Sequence, residues 1–357
     1  GRRNLIINGA MQVAQRGTAA TTVSGAGVYD TIDRLKLWES TDGAYTSEQS
    51  TEAPDEFSNS VKLAVTTADT SLAATQYACI AQVIEAQNVQ HLAYGTNAAK
   101  TLTISFYVRS NKTGTYCFML NKNDSTQYHY VKEFTINSAD TWERKTITIA
   151  PDSNIKASGG AIVNDNGIGL RCFIGLAWGS TYNGGTDDVW SSNTNHYATS
   201  NQVNWMDSTS NNFYFTGFQV EVGENASDFE HRSFGEELSL CQRYFQQQGR
   251  DGSGGRLFGV QQSSNYGILG IDFPQTMRAA PTFTLYGGNS TTGNITVSGA
   301  SADSTIAANA TNSVTVQPSL MSFNWNNTLS GSNTSKAIWH DMGTAATRLS
   351  YTLDAEL

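Results

Sequence analysis

A chain of 357 residues exceeds what one hydrophobic core ordinarily sustains, about 250–300 residues, so two domains are expected. Only 15% of the residues are charged, against about 25% in ordinary globular proteins, yet aromatics make up 10% and recur throughout. That excludes a disordered chain and points to β-structure with a surface of Ser, Thr, Asn, Gln and Gly. A net charge of −9 without a basic stripe excludes a nucleic-acid binder.

In chain order, no apolar run approaches the roughly 20 residues of a membrane span, and Leu5-Ile6-Ile7 is too short for the core of a signal peptide. Alternation over 101–109 puts Leu102, Ile104, Phe106 and Val108 on one face of a half-buried strand. A turn at Asn111-Lys112-Thr113-Gly114 leads to its hairpin partner at 116–120. Residues 145–149 alternate likewise, with Ile147 and Ile149 inward. Asn164-Asp165-Asn166-Gly167 lacks the closing Glu of an EF-hand and reads as a turn. Residues 170–178 are apolar on both faces, as in the centre of a sandwich. Over 213–222, Tyr214, Thr216, Phe218, Val220 and Val222 read as the core face. Short strands divided by Gly, Asn and Ser turns predict an all-β jelly-roll sandwich.

Residues 236–248 break this pattern. Leu238, Cys241 and Phe245, with Leu240 and Tyr244, have helical spacing over about three turns. Ser233 and Glu236 have capping-box spacing, and Gly249 is placed as a C-cap. Apolar side chains on two sides of this helix, between low-charge β domains, predict a parallel homotrimer with Leu238, Leu240, Tyr244 and Phe245 at the subunit contact. Gly249 to Gly255 reads as a flexible hinge, and short strands follow to the end. The expected organisation is a large jelly-roll domain over 1–232, a connecting helix over 233–249 and a small β-sandwich tip over 250–357.

No nucleotide-binding loop, zinc-protease motif or nucleophile elbow occurs, so no catalytic residue is expected. The scattered histidines read as structural or exposed. Cys79, Cys117, Cys172 and Cys241 are far apart in apolar surroundings and read as buried free thiols. No cofactor is implied, although the many Asp, Asn and carbonyl oxygens are compatible with structural calcium, Asp187-Asp188 being one candidate turn. Residues 178–205 combine Trp178, Tyr182, Trp190, His196, Tyr197 and Trp205 with small polar residues. Rings that stack on sugar C–H faces beside groups that bond hydroxyls make a glycan site. Trp190 and Tyr197 are its expected platforms, with Asp187, Asp188 and Asn195 as hydroxyl partners. A second candidate lies in the distal domain, at Trp325, Asn326, Asn327, Trp339 and His340.

Several segments resemble a known family. Residues 4–12, from Asn4-Leu5-Ile6-Ile7-Asn8 through Gly9-Ala10-Met11-Gln12, and 29–35, ending Asp33-Arg34-Leu35, resemble the opening of bacteriophage tail-fibre proteins with a carbohydrate-binding-module-like jelly roll. Residues 141–149, beginning Thr141-Trp142-Glu143, are similar to a strand of those modules. Phe218-Gln219-Val220-Glu221-Val222-Gly223, followed by 228–232 and 237–245, looks like their jelly-roll exit and helix. Met277-Arg278-Ala279-Ala280-Pro281-Thr282 and Asp354-Ala355-Glu356-Leu357 resemble their distal domain. Gln12 departs from the acidic residue that often helps such jelly rolls hold calcium. The resemblance implies a non-catalytic receptor-binding protein of the virion tail. It would attach the particle to host surface polysaccharide or lipopolysaccharide, join an upstream tail or adaptor protein, enter no membrane, and leave its host by lysis. An N-terminus without Met predicts a further attachment segment upstream. A virion decoration or head-fibre protein and a capsular polysaccharide depolymerase are the alternatives.

Overall fold

The two-residue alternation of the sequence is realised as antiparallel sheets. A computed structural model describes residues 3–23, 25–248, 257–263, 266–286, 294–299, 302–307, 314–316, 320–325, 337–340 and 350–357. The chain divides into two units, 1–237 with Leu357, and 238–356.

The first unit is all-β. Its strands are β1 (Thr21–Val23), β2 (Ala26–Tyr29), β3 (Lys36–Glu39), β4 (Ala44–Ser50), β5 (Ser60–Thr67), β6 (Tyr77–Glu85), β7 (Leu102–Ser110), β8 (Gly114–Lys122), β9 (Tyr128–Ile136), β10 (Glu143–Ile149), β11 (Ile168–Trp178), β12 (Val189–Ser191) and β13 (Asn212–Val222), with a one-turn helix α1 (Ser153–Lys156) after β10. They form a jelly-roll sandwich of a six-stranded sheet, β1-β4-β5-β13-β7-β10, and a seven-stranded sheet, β12-β9-β8-β11-β6-β3-β2. The main core lies between them. Leu102, Ile104, Phe106 and Val108 of β7 are buried there as their alternation predicts, with Ile147 and Ile149 of β10 and Tyr116, Phe118 and Leu120 of β8.

β13 departs from a single alternation. Phe213 and Phe215 enter the core, then Phe218 and Val220, so the expected inward set is right only in its second half. The cause is a register shift between Thr216 and Gln219 at Gly217, whose φ of +63° favours glycine. The added residue of a bulge moves the following side chains to the other face.

The motif residues near the N-terminus satisfy buried backbone groups. Asn4 Oδ1 accepts from the amides of Ile6 and Val220 at 2.9 and 3.0 Å. Asn8 Nδ2 donates to the carbonyls of Val13 and Asp33 at 2.8 and 2.9 Å. Arg34 Nη2 donates to Val83 O at 2.7 Å. Arg232 Nη2 donates to Asn4 O at 2.6 Å and its Nη1 to Ile6 O at 3.0 Å. Buried polar groups need such partners, so these positions clasp the two ends of the sandwich together.

The expected helix over 236–248 is α2 (Phe234–Gln242). Ser233 caps it, Oγ accepting from Glu236 N at 3.3 Å. It stops early because Tyr244-Phe245 is aromatic, strand-favouring sequence. Phe245–Gln248 is strand β14, paired with residues 351–354. Tyr244 and Phe245 are consequently 1% and 3% exposed in the single chain, so neither has surface to offer a subunit contact. Leu238 and Leu240 are half-buried.

The second unit continues with β15 (Leu257–Ser263), β16 (Tyr266–Asp272), β17 (Thr282–Tyr286), β18 (Asn294–Gly299), β19 (Ala302–Ala307), β20 (Val314–Val316), β21 (Leu320–Trp325), β22 (Ala337–His340) and β23 (Ser350–Asp354). They form two sheets, β14-β23-β17 and β19-β18-β22-β15-β16-β21-β20. The expected hinge at 249–255 lies outside the described residues.

Candidate functional site

Strand β11 carries apolar residues on both faces because both are covered. Leu170, Cys172, Ile174 and Leu176 point into the sandwich. Phe173 and Trp178 belong to a second apolar cluster with Cys79, Ala81, Cys117, Met119, Val131 and Ala198, on the outer face of the seven-stranded sheet. The cover is the segment 179–203, which turns back on itself. The carbonyl of Tyr182 accepts from the amides of Tyr197 and Ala198 at 2.9 and 3.1 Å, and Gly185 N donates to Ala198 O at 2.8 Å. Gln202 Oε1 accepts from Cys117 N at 2.7 Å, and Asn201 Nδ2 donates to Glu133 Oε1 at 2.9 Å.

Where this cover ends, a cleft of about 160 Å³ opens, lined by Trp38, Tyr77, Cys79, Arg171, Phe173, Trp178, Tyr182 and Tyr197. Its organising feature is a three-ring stack. Trp178 lies between Tyr77, at 5.6 Å and 26°, and Tyr197, at 4.8 Å and 29°. Tyr182 stands nearly edge-on to Tyr77 and Tyr197, at 5.5 and 5.6 Å. Trp38 completes the floor, 6.2 Å from Tyr77 and 6.5 Å from Phe173. Such tilted, edge-on and offset contacts suit the ring quadrupole. Burial raises the hydroxyl pKa of Tyr77 and of Tyr197, so both stay protonated and keep a donor. The cleft is smaller than the roughly 300 Å³ at which small-molecule pockets begin, so it would hold one part of a ligand whose remainder lies in solvent.

The residues singled out from sequence are only partly brought together. Tyr197 is in the cleft. Trp190 is 6% exposed, packed 5.3 Å from Tyr130 in the main core, with Nε1 donating to Ala150 O at 3.0 Å; it is no platform. Asp187 Oδ1 accepts from Glu133 N at 2.7 Å and its Oδ2 pairs with Lys132 Nζ at 3.0 Å. Asp188 accepts from the hydroxyl of Tyr130. Both aspartates thus fasten the cover to β9. Asn195 is exposed, and its amide donates to Asn193 Oδ1 at 3.0 Å. Trp205 is a core residue. Among the described residues no group of three or more His, Cys, Asp or Glu is placed to hold a metal ion, and the four cysteines are free and buried. In the distal unit, Trp325 ends β21 while Trp339 and His340 lie in β22, with β15 and β16 between them in the sheet. Three strand spacings of about 4.8 Å keep these backbones apart; Asn326 and Asn327 lie outside the described residues.

Trp38, Tyr77, Arg171 and Phe173 were not anticipated, because they come from three strands remote in sequence. One signal was present: Arg171 alternates with Phe173 in an otherwise apolar strand, which marks an outer face that is wet at one end.

A second cleft of about 170 Å³ is lined by Asn4, Leu5, Ile7, Asn88, His91 and Arg232. It has no ring platform, and its Arg232 is neutralised by Glu230 at 3.0 Å and Glu237 at 3.3 Å.

No family model matches the chain, and no curated protein matches it. Among solved structures it is similar to the enzymatically active domain of tailspike protein 4 of bacteriophage CBA120, 10% identical with a TM-score of 0.30, over 62% of this chain and 21% of that one. It therefore spans about a fifth of that tailspike chain. It is also similar to a family 11 carbohydrate-binding module from Clostridium thermocellum in complex with a β-1,3-1,4-mixed-linked tetrasaccharide, 14% identical with a TM-score of 0.29, over 60% and 99% of the two chains. A third is TmCBM61 in complex with β-1,4-galactotriose, 11% identical with a TM-score of 0.29, over 62% and 100%. At these scores the likeness carries no functional weight.

Proposed function

We propose that this chain is a non-catalytic glycan-binding protein, and that it serves as the receptor-binding part of a phage tail fibre, attaching the virion to host surface polysaccharide. The observation that carries glycan binding is the Tyr77–Trp178–Tyr197 stack with Tyr182 beside it, presented in an open cleft on the outer face of a rigid sheet. Trp178, 6% exposed, backs the stack, while the half-buried Tyr77, Tyr182 and Tyr197 offer π-faces and edges to sugar C–H groups, and their hydroxyls and Arg171 offer hydrogen bonds. A binding rather than hydrolytic role is supported by the lining, which among the described residues contains no Asp or Glu, whereas glycoside cleavage ordinarily needs a pair of carboxylates. The tail-fibre role rests on the sequence resemblance of residues 4–12, 29–35, 218–223, 228–232 and 237–245. Each hydroxyl bond contributes only about 0.5–1.5 kcal/mol net, so one site binds weakly and attachment draws on several linked copies, as in a homotrimer.

The test is adsorption of the labelled full chain to host cells and their purified polysaccharide. Tyr182→Ala with Tyr197→Ala is expected to lower binding at least tenfold while the melting temperature stays within a few degrees, and no new reducing ends should form. Unchanged adsorption by that folded variant moves the site elsewhere, and released reducing ends make the protein a depolymerase.

A further inference from the structure

Among the described residues, Arg171 is the one charged side chain lining the aromatic cleft. It lies on the outer face of β11, paired in register with Asn121 of β8. Its hydrogen bond is a long one, Nη1 to Asn121 Oδ1 at 3.4 Å. Among the described residues no carboxylate is within ion-pair distance of it, unlike Arg109, Arg232 and Lys132, which have acidic partners. The imidazole beside it brings no negative charge. His129 is buried, and that burial, with the nearby charge of Arg171 acting in the same direction, pushes its pKa down to about 4. The nearby ammonium of Lys36, 5.4 Å from the ring centroid of Trp38, already donates to Leu357 O at 2.7 Å. Burial disfavours the charge on Arg171, and the donors left over agree in kind. The indole N–H groups of Trp38 and Trp178 are buried without a partner, so the cleft walls are short of acceptors.

A half-buried guanidinium without a counter-ion carries a desolvation cost that a pair would offset, and its planar fork matches carboxylate and other oxyanions two bonds at a time. We infer that the aromatic cleft selects an acidic saccharide, whose ring stacks on Tyr197 and Tyr182 while its anionic group is held by Arg171. This rests on the glycan-binding reading above and narrows it to a class. The shared chemistry is a sugar-borne oxyanion, whether the carboxylate of a uronic or nonulosonic acid or a sulfate or phosphate ester.

The experiment is a glycan array carrying neutral, carboxylated, sulfated and phosphorylated bacterial oligosaccharides, probed with the full chain and with Arg171→Gln and Arg171→Lys. The expected result is binding concentrated on acidic glycans and weakening as salt is raised. Arg171→Gln should lose at least tenfold on them and far less on neutral ones, so that the acidic preference collapses, and Arg171→Lys should keep part of the preference. The carboxylated and ester arms identify the source of the charge. Binders that are mainly neutral, or an acidic preference that survives in Arg171→Gln, overturn the inference and leave the glycan-binding reading standing. An array with no binders overturns both. Far-ultraviolet circular dichroism confirms that each variant is folded, and if Arg171→Gln is not, the Arg171→Lys comparison and the salt dependence of the unaltered chain decide.

Discussion

The carboxyl of Glu143 is ringed by donors: Lys145 at 2.5 Å and the amides of Asn137 and Ser138 at 2.8 and 2.9 Å. Burial works against its charge, yet these donors hold its pKa down to about 2 from an ordinary 4.5. A depressed carboxylate stabilises the fold fully above the unfolded value, and that contribution is lost as pH falls from about 4.5 towards 2. Glu143→Gln should therefore cost about 1–2 kcal/mol at neutral pH and almost nothing near pH 2, a difference read by urea titrations at the two pH values. At the same scale lies the contrast between Trp190 and Tyr197. They share one loop and one composition, and the sequence marked them equally. Trp190 is opposite Tyr130 in the β12–β9 register and so faces the core, whereas Tyr197 lies beyond that strand. Which side of a sheet a ring takes depends on a pairing partner some sixty residues away, and local sequence does not encode it.

Among the elements, those whose pattern is local were readable. β7 and β10 lie where their alternation put them, and Ser233 starts the helix. What escaped was set by partners: the helix ends at Gln242 because the following residues are claimed by β23, and β13 changes face at one glycine. The cover at 179–203 begins equally abruptly. A side chain on Gly179 would put its Cβ 2.2 Å from Ala73 O and 2.5 Å from Ala74 O, so the strand can leave the sheet there only as glycine. Gly179→Ala should lower stability by about 2–4 kcal/mol, in the range of strained core substitutions. It should also loosen Trp178 and Tyr182. Thermal melts and quenching of tryptophan fluorescence by acrylamide would report both, and an unaltered melt would show that the cover yields without cost.

At the level of the whole molecule, the main core is drawn from residues 6–220, and so is every described residue lining the aromatic cleft. A fragment of residues 1–237 should therefore fold cooperatively and bind the same glycans with the same per-site affinity as the full chain. Calorimetry on both would check this; a fragment that folds but does not bind would give the second unit a share in recognition. The all-β jelly-roll character was legible in the alternating runs, which give way to helical spacing after residue 233. The cleft was not, because it is an assembly of β3, β6, β11 and the cover. That assembly separates two tasks: the sheet supplies Trp38, Tyr77, Arg171 and Phe173 as a fixed floor, and the cover supplies Tyr182 and Tyr197 as a wall held by its own backbone bonds. Specificity could thus be rewritten by exchanging side chains on the wall alone, and a library randomised at the exposed positions of the cover would explore new ligands without putting the fold at risk.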